Sequence, residues 1–154
     1  MIPFYTDLLD RFQELHSDIE KIVDSLPAEA LDWSPGPDIN SLSVLVVHLT
    51  GAERFLIGDI VMGASSNRNR DAEFQVSGLD KADLLRRLND TEVFLKTVLE
   101  ALKLSDLENM RTHPRHGRQV SVAFALLHAL EHAATHHGHI QLTAQLWQQS
   151  HSQA

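Results

Sequence analysis

LSVLVVHLTGAERFLIGDIVMG, residues 42 to 63, decides the fold. Its first half, LSVLVVHL, is apolar almost all round apart from Ser43 and His48, and taken alone it reads equally as a buried strand or as a helix deep among others. Continuation through GAERFLIGDIVMG favours a helix, from about 41 to 62, with Asn40 or Ser41 placed to cap it. His48 is then a polar residue stranded in an apolar face.

The flanking sequence supplies three more helices. Upstream, LPAEALDWSPGPDIN carries three prolines and a glycine and breaks any regular pattern. Before it, Pro3 suits a first helical turn, and Phe4, Leu8, Phe12, Leu15, Ile19, Ile22 and Leu26 recur at three- and four-residue steps, predicting a helix from about 3 to 26. That period places His16 on the polar, solvent-facing side. Downstream, residues 63 to 79 are polar and aperiodic, a long connection. Asp80 and Asp83 resemble a capped start, and Leu84, Leu88, Leu95, Val98, Leu99 and Leu102 give a third helix an apolar face over about 81 to 103. A second loop, 104 to 119, holds Pro114 and Gly117. The last helix starts near Val120 or Ser121 and runs to about Gln148, with Val122, Leu126, Leu127, Leu130, Ala133, Ala134 and Ile140 among its apolar positions; residues 151 to 154 read as a frayed tail.

Four amphipathic helices without a convincing strand predict an all-α four-helix bundle, because each helix must bury its stripe against the others. At 154 residues the chain makes one domain, over 1 to 150. The link of roughly seventeen residues between the second and third helices is far longer than an antiparallel pair needs. It is long enough to cross the bundle, which gives up-down-down-up order and sets the second and last helices antiparallel.

Composition excludes several functions. No apolar run approaches the ~20 residues of a membrane span, and the start, MIPFYTDLLDRF, has acidic residues where a secretory signal would carry basic ones, so a cytoplasmic protein is expected. The chain has no cysteine, hence no disulfide, thiolate ligand or nucleophilic thiol of its own. A net charge of -8 opposes nucleic acid, although NRNR (67 to 70) and RTHPRHGR (111 to 118) are locally basic. His113 and His116 lie in the second of these and read as a solvated loop, with contact to a phosphate or carboxylate as the alternative.

Five of the ten histidines fall in HALEHAATHHGHI, residues 128 to 140. His132 and His136 are four apart, which on a helix is ~40° of rotation and ~6 Å of rise, so both rings can reach one ion. His128 lies about 12 Å from His136 along the axis and cannot share that ion with both. His139 could pair with His136, while His137, rotated by about 100°, faces elsewhere. A third ligand should come from another helix, and depth points to His48. It lies ~23 Å from the far end of the second helix, and residues 132 to 136 lie ~18 to 24 Å from the start of the last one. The levels agree if the two helices are antiparallel and miss by ~8 to 14 Å if they are parallel. The competing reading is a hydrogen-bonded core histidine and a solvated pair, but three partnerless imidazoles in a core would cost ~1–3 kcal/mol each. Trp33 and Trp147 read as packing residues.

Two stretches resemble the DinB-like superfamily, which includes metal-dependent thiol transferases and relatives of mycothiol-dependent maleylpyruvate isomerase. LPAEALDWSPGPDINSLSVLVVHLTGAERF resembles that family's approach to a histidine on the second helix, and SVAFALLHALEHAATHHGHIQLTAQLW resembles its last helix, with histidines four apart followed by a glycine. The resemblance covers nearly the whole chain. It implies His48, His132 and His136 as ligands of a divalent metal such as zinc or nickel, an up-down-down-up bundle, and a homodimer.

Three neutral ligands leave the ion its full double charge and an open position, as in catalytic sites. The expected function is a metal-dependent S-transferase that passes a low-molecular-weight thiol to a small electrophile bound near loop 27 to 40. Glu53, Glu131 and Thr135 are the nearest polar candidates for support or proton transfer. Alternatives are a metal-water hydrolase on the same ligands and a non-catalytic metal- or ligand-binding stress protein. A di-iron carboxylate bundle is disfavoured, since no Glu-x-x-His pair occurs.

Overall fold

The structure, a computed structural model, describes residues 1–152. Six α-helices and a small hairpin follow in the order α1 (Pro3–Ser25), α2 (Ala28–Leu31), α3 (Leu42–Glu53), α4 (Arg70–Glu73), α5 (Lys81–Ala101), β1 (Met110–Thr112), β2 (Gln119–Ser121) and α6 (Val122–His151). The four long ones form the bundle. Side-chain oxygens cap three of them where expected: Ser41 accepts from the Val44 N–H, Asp80 from Asp83 and Ser121 from Phe124. α3 continues without a break into a π-helical stretch, Arg54–Val61, so the predicted second helix is one rod of two kinds of turn. Every residue from Leu42 to Thr50 is buried, as the unbroken apolar run requires.

Hydrogen bonds between elements fix the directions. Tyr5 Oη donates to the Lys103 carbonyl at 2.9 Å, and Lys81 Nζ donates to the Asp24 carbonyl at 2.6 Å, so each end of α1 meets the opposite end of α5. Those two helices are antiparallel. α3 and α5 run in parallel: Arg54 reaches the carbonyl of Asp90, and one turn later a Cβ on Gly58 would stand 3.0 Å from the Phe94 ring. Finally, Arg111 of β1 donates to the Val61 carbonyl at 3.1 Å, which joins the end of the second helix to the hairpin that opens α6. α3 and α6 are therefore antiparallel, and the order is up-down-down-up.

Parallel neighbours cannot be joined by a short turn, and residues 62 to 80 make the return crossing. On the way the chain forms α4, capped by Asn69, and it is tied down near its end by the Gly78 N–H, which donates to Asp32 at 2.6 Å from a glycine with φ +75°.

Four expectations need correction. β1 and β2 pair antiparallel, with Arg111 opposite Val120, in a loop read as strand-free. Leu127 and Ala134 are exposed, because the buried seam of α6 runs through Val122, Ala125, Leu126, Ala129, Ala133 and Ile140. His16 is not on the surface: it is completely buried. The buried face of α1 is Tyr5, Leu8, Leu9, Phe12, His16, Ile19 and Val23, rotated from the predicted one, and His16 sits in its middle. α6 reaches His151, so of the expected tail His151 is helical and Ser152 caps it, while residues 153 and 154 lie outside the described residues. No helix is long and apolar enough to cross a membrane among the described residues.

Candidate metal centre

His48 projects from the second turn of α3, and His132 and His136 from the middle of α6. Antiparallel packing brings them to one level. Nε2 of His48 lies 3.2 Å from Nε2 of His132, and the ring of His48 is centred 5.1 Å from that of His132 and 4.9 Å from that of His136. One nitrogen from each of the three rings lies within 4.8 Å of the others. Two nitrogens bound to one tetrahedral ion with bonds of about 2.0–2.1 Å stand ~3.4 Å apart, so the His48–His132 spacing is close to that of shared ligands. Between two neutral imidazoles, a proton on one nitrogen satisfies this contact; without one, two lone pairs face each other. Nδ1 of His132 is buried with no hydrogen-bond partner among the described residues. The donor set thus fits a divalent cation.

The two rings of α6 are held neutral. Burial, then the neighbouring imidazoles of His136 and His48, lower the pKa of His132 to about 3. Burial, then His48 and His139, lower that of His136 to about 4. A neutral imidazole is the ligand form.

What orients His48 is absent from the sequence reading. Glu73, at the end of α4, places Oε2 2.9 Å from Nδ1 of His48. Arg68 grips the same carboxylate from behind, Nε to Oε1 at 2.5 Å and Nη2 to Oε2 at 2.7 Å. Burial alone would raise the Glu73 carboxyl, but the hydrogen bonds from Arg68 and His48, with the charge of Arg68, hold it below the usual carboxylate range. It is therefore ionised and accepts from Nδ1–H, which fixes the tautomer with Nε2 free to face the other rings. Gly51 makes room for this: a Cβ there would lie 2.3 Å from Oε1 of Glu73. The crossover thus has a second role beyond connection, since it delivers the carboxylate to His48.

The other expected support residues are elsewhere. Glu53 is wholly buried but faces His16, both carboxylate oxygens within 3.1 Å of its Nε2. Glu131 and Thr135 are exposed; Glu131 approaches His128 at 3.5 Å and Thr135 donates to the Glu131 carbonyl. Nδ1 of His139 lies 3.4 Å from Nδ1 of His136, and His137 turns toward Asp18 of α1 at 3.9 Å. An apolar recess of about 290 Å³ opens beside His139, lined by Ile39, Leu45, Leu142 and Leu146. Loop 27 to 40 forms one wall of it, as expected. A larger cavity of about 650 Å³, between α3 and α5, includes none of the three rings in its wall.

A helical bundle with a return crossing and a half-buried cluster of three imidazoles defines the class. The chain belongs to the DinB superfamily, whose family model matches residues 11–140. Similar folds recur in solved structures. A conserved protein from Enterococcus faecalis superposes with a TM-score of 0.79 at 15% identity, covering 95% of this chain and 98% of that one. YfiT from Bacillus subtilis, described as a probable metal-dependent hydrolase with an unusual four-helix bundle topology, gives 0.77 at 13%, covering 96% and 90%. A DinB-like protein from the same organism gives 0.71 at 19%, covering 92% and 91%. No curated protein matches the sequence.

Proposed function

We propose that His48, His132 and His136 hold one divalent cation, zinc or nickel, and that the protein uses it to transfer a low-molecular-weight thiol to a small electrophile. The observation that carries this reading is the arrangement of three imidazole rings around a common point, one of them aimed by a buried carboxylate. When bound, such a cation lowers the pKa of a thiol or water brought to its open position, supplying a nucleophile near neutral pH.

The chain's own residues do the rest. Glu73 holds the proton on Nδ1 of His48, and Arg68 holds Glu73, so the ring neither turns nor changes tautomer. The recess lined by Ile39, Leu45, Leu142 and Leu146 receives an apolar portion of the electrophile and keeps water from it. The thiol comes from outside, since the chain has no cysteine.

Hydrolysis is the second reading, and one likeness favours it: the description of YfiT as a probable metal-dependent hydrolase. Water attack calls for a base to take a proton, and the acidic candidates are engaged or remote. Glu53 is paired with His16, and Glu73 stands behind His48 in the grip of Arg68. The cation would ionise either nucleophile, but a thiol starts from a pKa of ~8.5 against ~15.7 for water, so its proton passes to solvent with less help from a base. That difference supports the transferase reading.

The test is turnover by zinc- or nickel-loaded protein on a panel of electrophiles, with and without cysteine, glutathione or 2-mercaptoethanol. Metal-dependent loss of thiol, abolished by a chelator and by His132→Ala, is expected. Electrophile consumption at the same rate without thiol would overturn transfer in favour of hydrolysis. No turnover in either arm would leave metal or ligand binding as the function.

A further inference from the structure

Beside the three rings lies a second recess, about 180 Å³, whose wall includes His48 and His132. Besides His128 of α6, its other polar lining comes from two loops remote in sequence: Arg68 and Arg70 from the crossover, and His113, Arg115 and His116 from the turn between β1 and β2. These belong to the two basic segments of the sequence, NRNR and RTHPRHGR, of which the metal site accounts only for Arg68. No acidic residue lines the recess, in a chain that has 21 acidic residues against 13 basic ones.

The cluster is built rather than incidental. The β1–β2 turn is closed by the His113 N–H donating to the Arg118 carbonyl at 2.8 Å and the Gly117 N–H donating to the His113 carbonyl at 2.9 Å, with Gly117 at φ +68°. The rings of His113 and His116 stack at 3.7 Å, and the backbone N–H of Arg115 donates to Nδ1 of His113 at 3.2 Å. Phe55, from the π-helical part of the second helix, gathers the cations: the guanidinium of Arg115 lies 4.8 Å from its ring centre and that of Arg68 5.7 Å. Arg70 lies over Phe74 at 4.8 Å. Arg68 commits two nitrogens to Glu73, whereas the ion pairs among the described residues include neither Arg70 nor Arg115. Glu73 neutralises Arg68, and Asp71 borders the outer side of the group, but Arg70 and Arg115 are held together with no acid between them in the recess; like charges so placed repel, and an anion there relieves the repulsion.

We propose that this recess binds an oxyanion group, carboxylate or phosphate, so that the small molecule processed at the histidine cluster is itself an acid. Arg70 and Arg115 supply charged donors, with His113 and His116 as further hydrogen-bonding groups. A volume well below the ~300–1,000 Å³ of drug-sized pockets suits the acidic end of a small molecule rather than the whole of a large one.

The proposal names the substrate class of the function proposed above and rests on it, but its test does not need the metal. Metal-free protein is titrated calorimetrically, at low ionic strength, with succinate, with inorganic phosphate, and with succinamide as a neutral match in shape. Binding of succinate or phosphate and not of succinamide is expected, and whichever anion binds tighter names the group. Loss of one charge-assisted contact predicts roughly ten-fold weaker binding in Arg115→Gln and in Arg70→Gln. Arg115→Lys should retain part of the affinity, and Arg86→Gln, on exposed α5, should leave it unchanged. Absence of anion binding in the wild type, or equal binding in the folded Arg115→Gln and Arg70→Gln variants, overturns the proposal. Because no metal is present in the titration, its failure is distinguishable from a failure of the protein to retain an ion.

Discussion

The bundle buries two histidines that each face a glutamate, and it treats them in opposite ways. His16 and Glu53 close on each other, both wholly buried, with Nε2 3.0 Å from a carboxylate oxygen. Burial lowers the pKa of His16, but the charge and hydrogen bond of Glu53 outweigh it, and the ring is pulled toward its protonated form. At His48 the carboxylate of Glu73 is already held by Arg68, so it orients the ring through Nδ1 while Nε2 is turned on another imidazole. The difference lies in where the counter-charge sits. A glutamate facing only the histidine draws the proton to the shared side of the ring, and Nδ1 of His16 is left buried without a partner among the described residues; a glutamate already paired with an arginine makes a positioned ring whose other nitrogen is turned on its neighbours.

Removing one member from each site breaks the comparison most sharply. His48→Ala should weaken zinc binding more than 100-fold, beyond the ~10–100-fold carried by residues that only orient a ligand. Glu53→Ala should leave zinc affinity within about two-fold yet cost about 3–5 kcal/mol in urea unfolding, because it strands a buried charge or polar ring. Replacing both members, His16→Leu with Glu53→Leu, should recover most of that loss. Zinc titration and urea denaturation of the same preparations measure both effects.

A subtler pair sharpens it. Glu73→Gln keeps the shape and loses the charge, and should weaken zinc about 10–100-fold. Gly51→Ala adds a Cβ where Oε1 of Glu73 now lies and should weaken zinc about ten-fold at nearly unchanged stability, since alanine favours the helix by ~1 kcal/mol against the displacement.

The comparison also extends to the pH dependence of metal-free protein, where the two sites have opposite signs. His132 and His136 titrate at about 3 and about 4 when folded and near 6.5 when unfolded. The unfolded chain binds more protons in between, so their contribution is lost as pH falls from about 6.5 toward 4. His16 is raised, so its contribution is complete below about 6.5 and lost as pH rises through its folded value. His132→Ala should flatten the acid side of a plot of unfolding free energy against pH, and Glu53→Gln the alkaline side.

These contrasts also mark what was legible in the sequence. The bundle and its crossover were readable because apolar periods and a long polar link constrain topology directly. The meeting of His48 with His132 and His136 was readable because depth along two rods is simple arithmetic. His16 was misplaced by a small rotation: the period through Phe4, Leu15 and Ile22 leaves it outside, whereas Tyr5, Phe12, Ile19 and Val23 put it in the seam. Arg68 and Glu73 were invisible because an aperiodic link has no face to predict. A signal existed nonetheless, since a chain returning past a parallel pair must run by the start of the second helix, where His48 lies. The basic recess was missed for a similar reason: its arginines from the two segments, Arg70 and Arg115, are 45 residues apart, and only the fold joins them.

The central claim is that three imidazoles share one cation, and metal content tests it most directly. Protein dialysed against metal-free buffer after exposure to zinc or nickel should retain one ion per chain, and His48→Ala, His132→Ala and His136→Ala should each retain none while Glu53→Ala retains it. Wild-type protein without stoichiometric metal, or a folded His48→Ala variant that keeps its ion, would contradict the account.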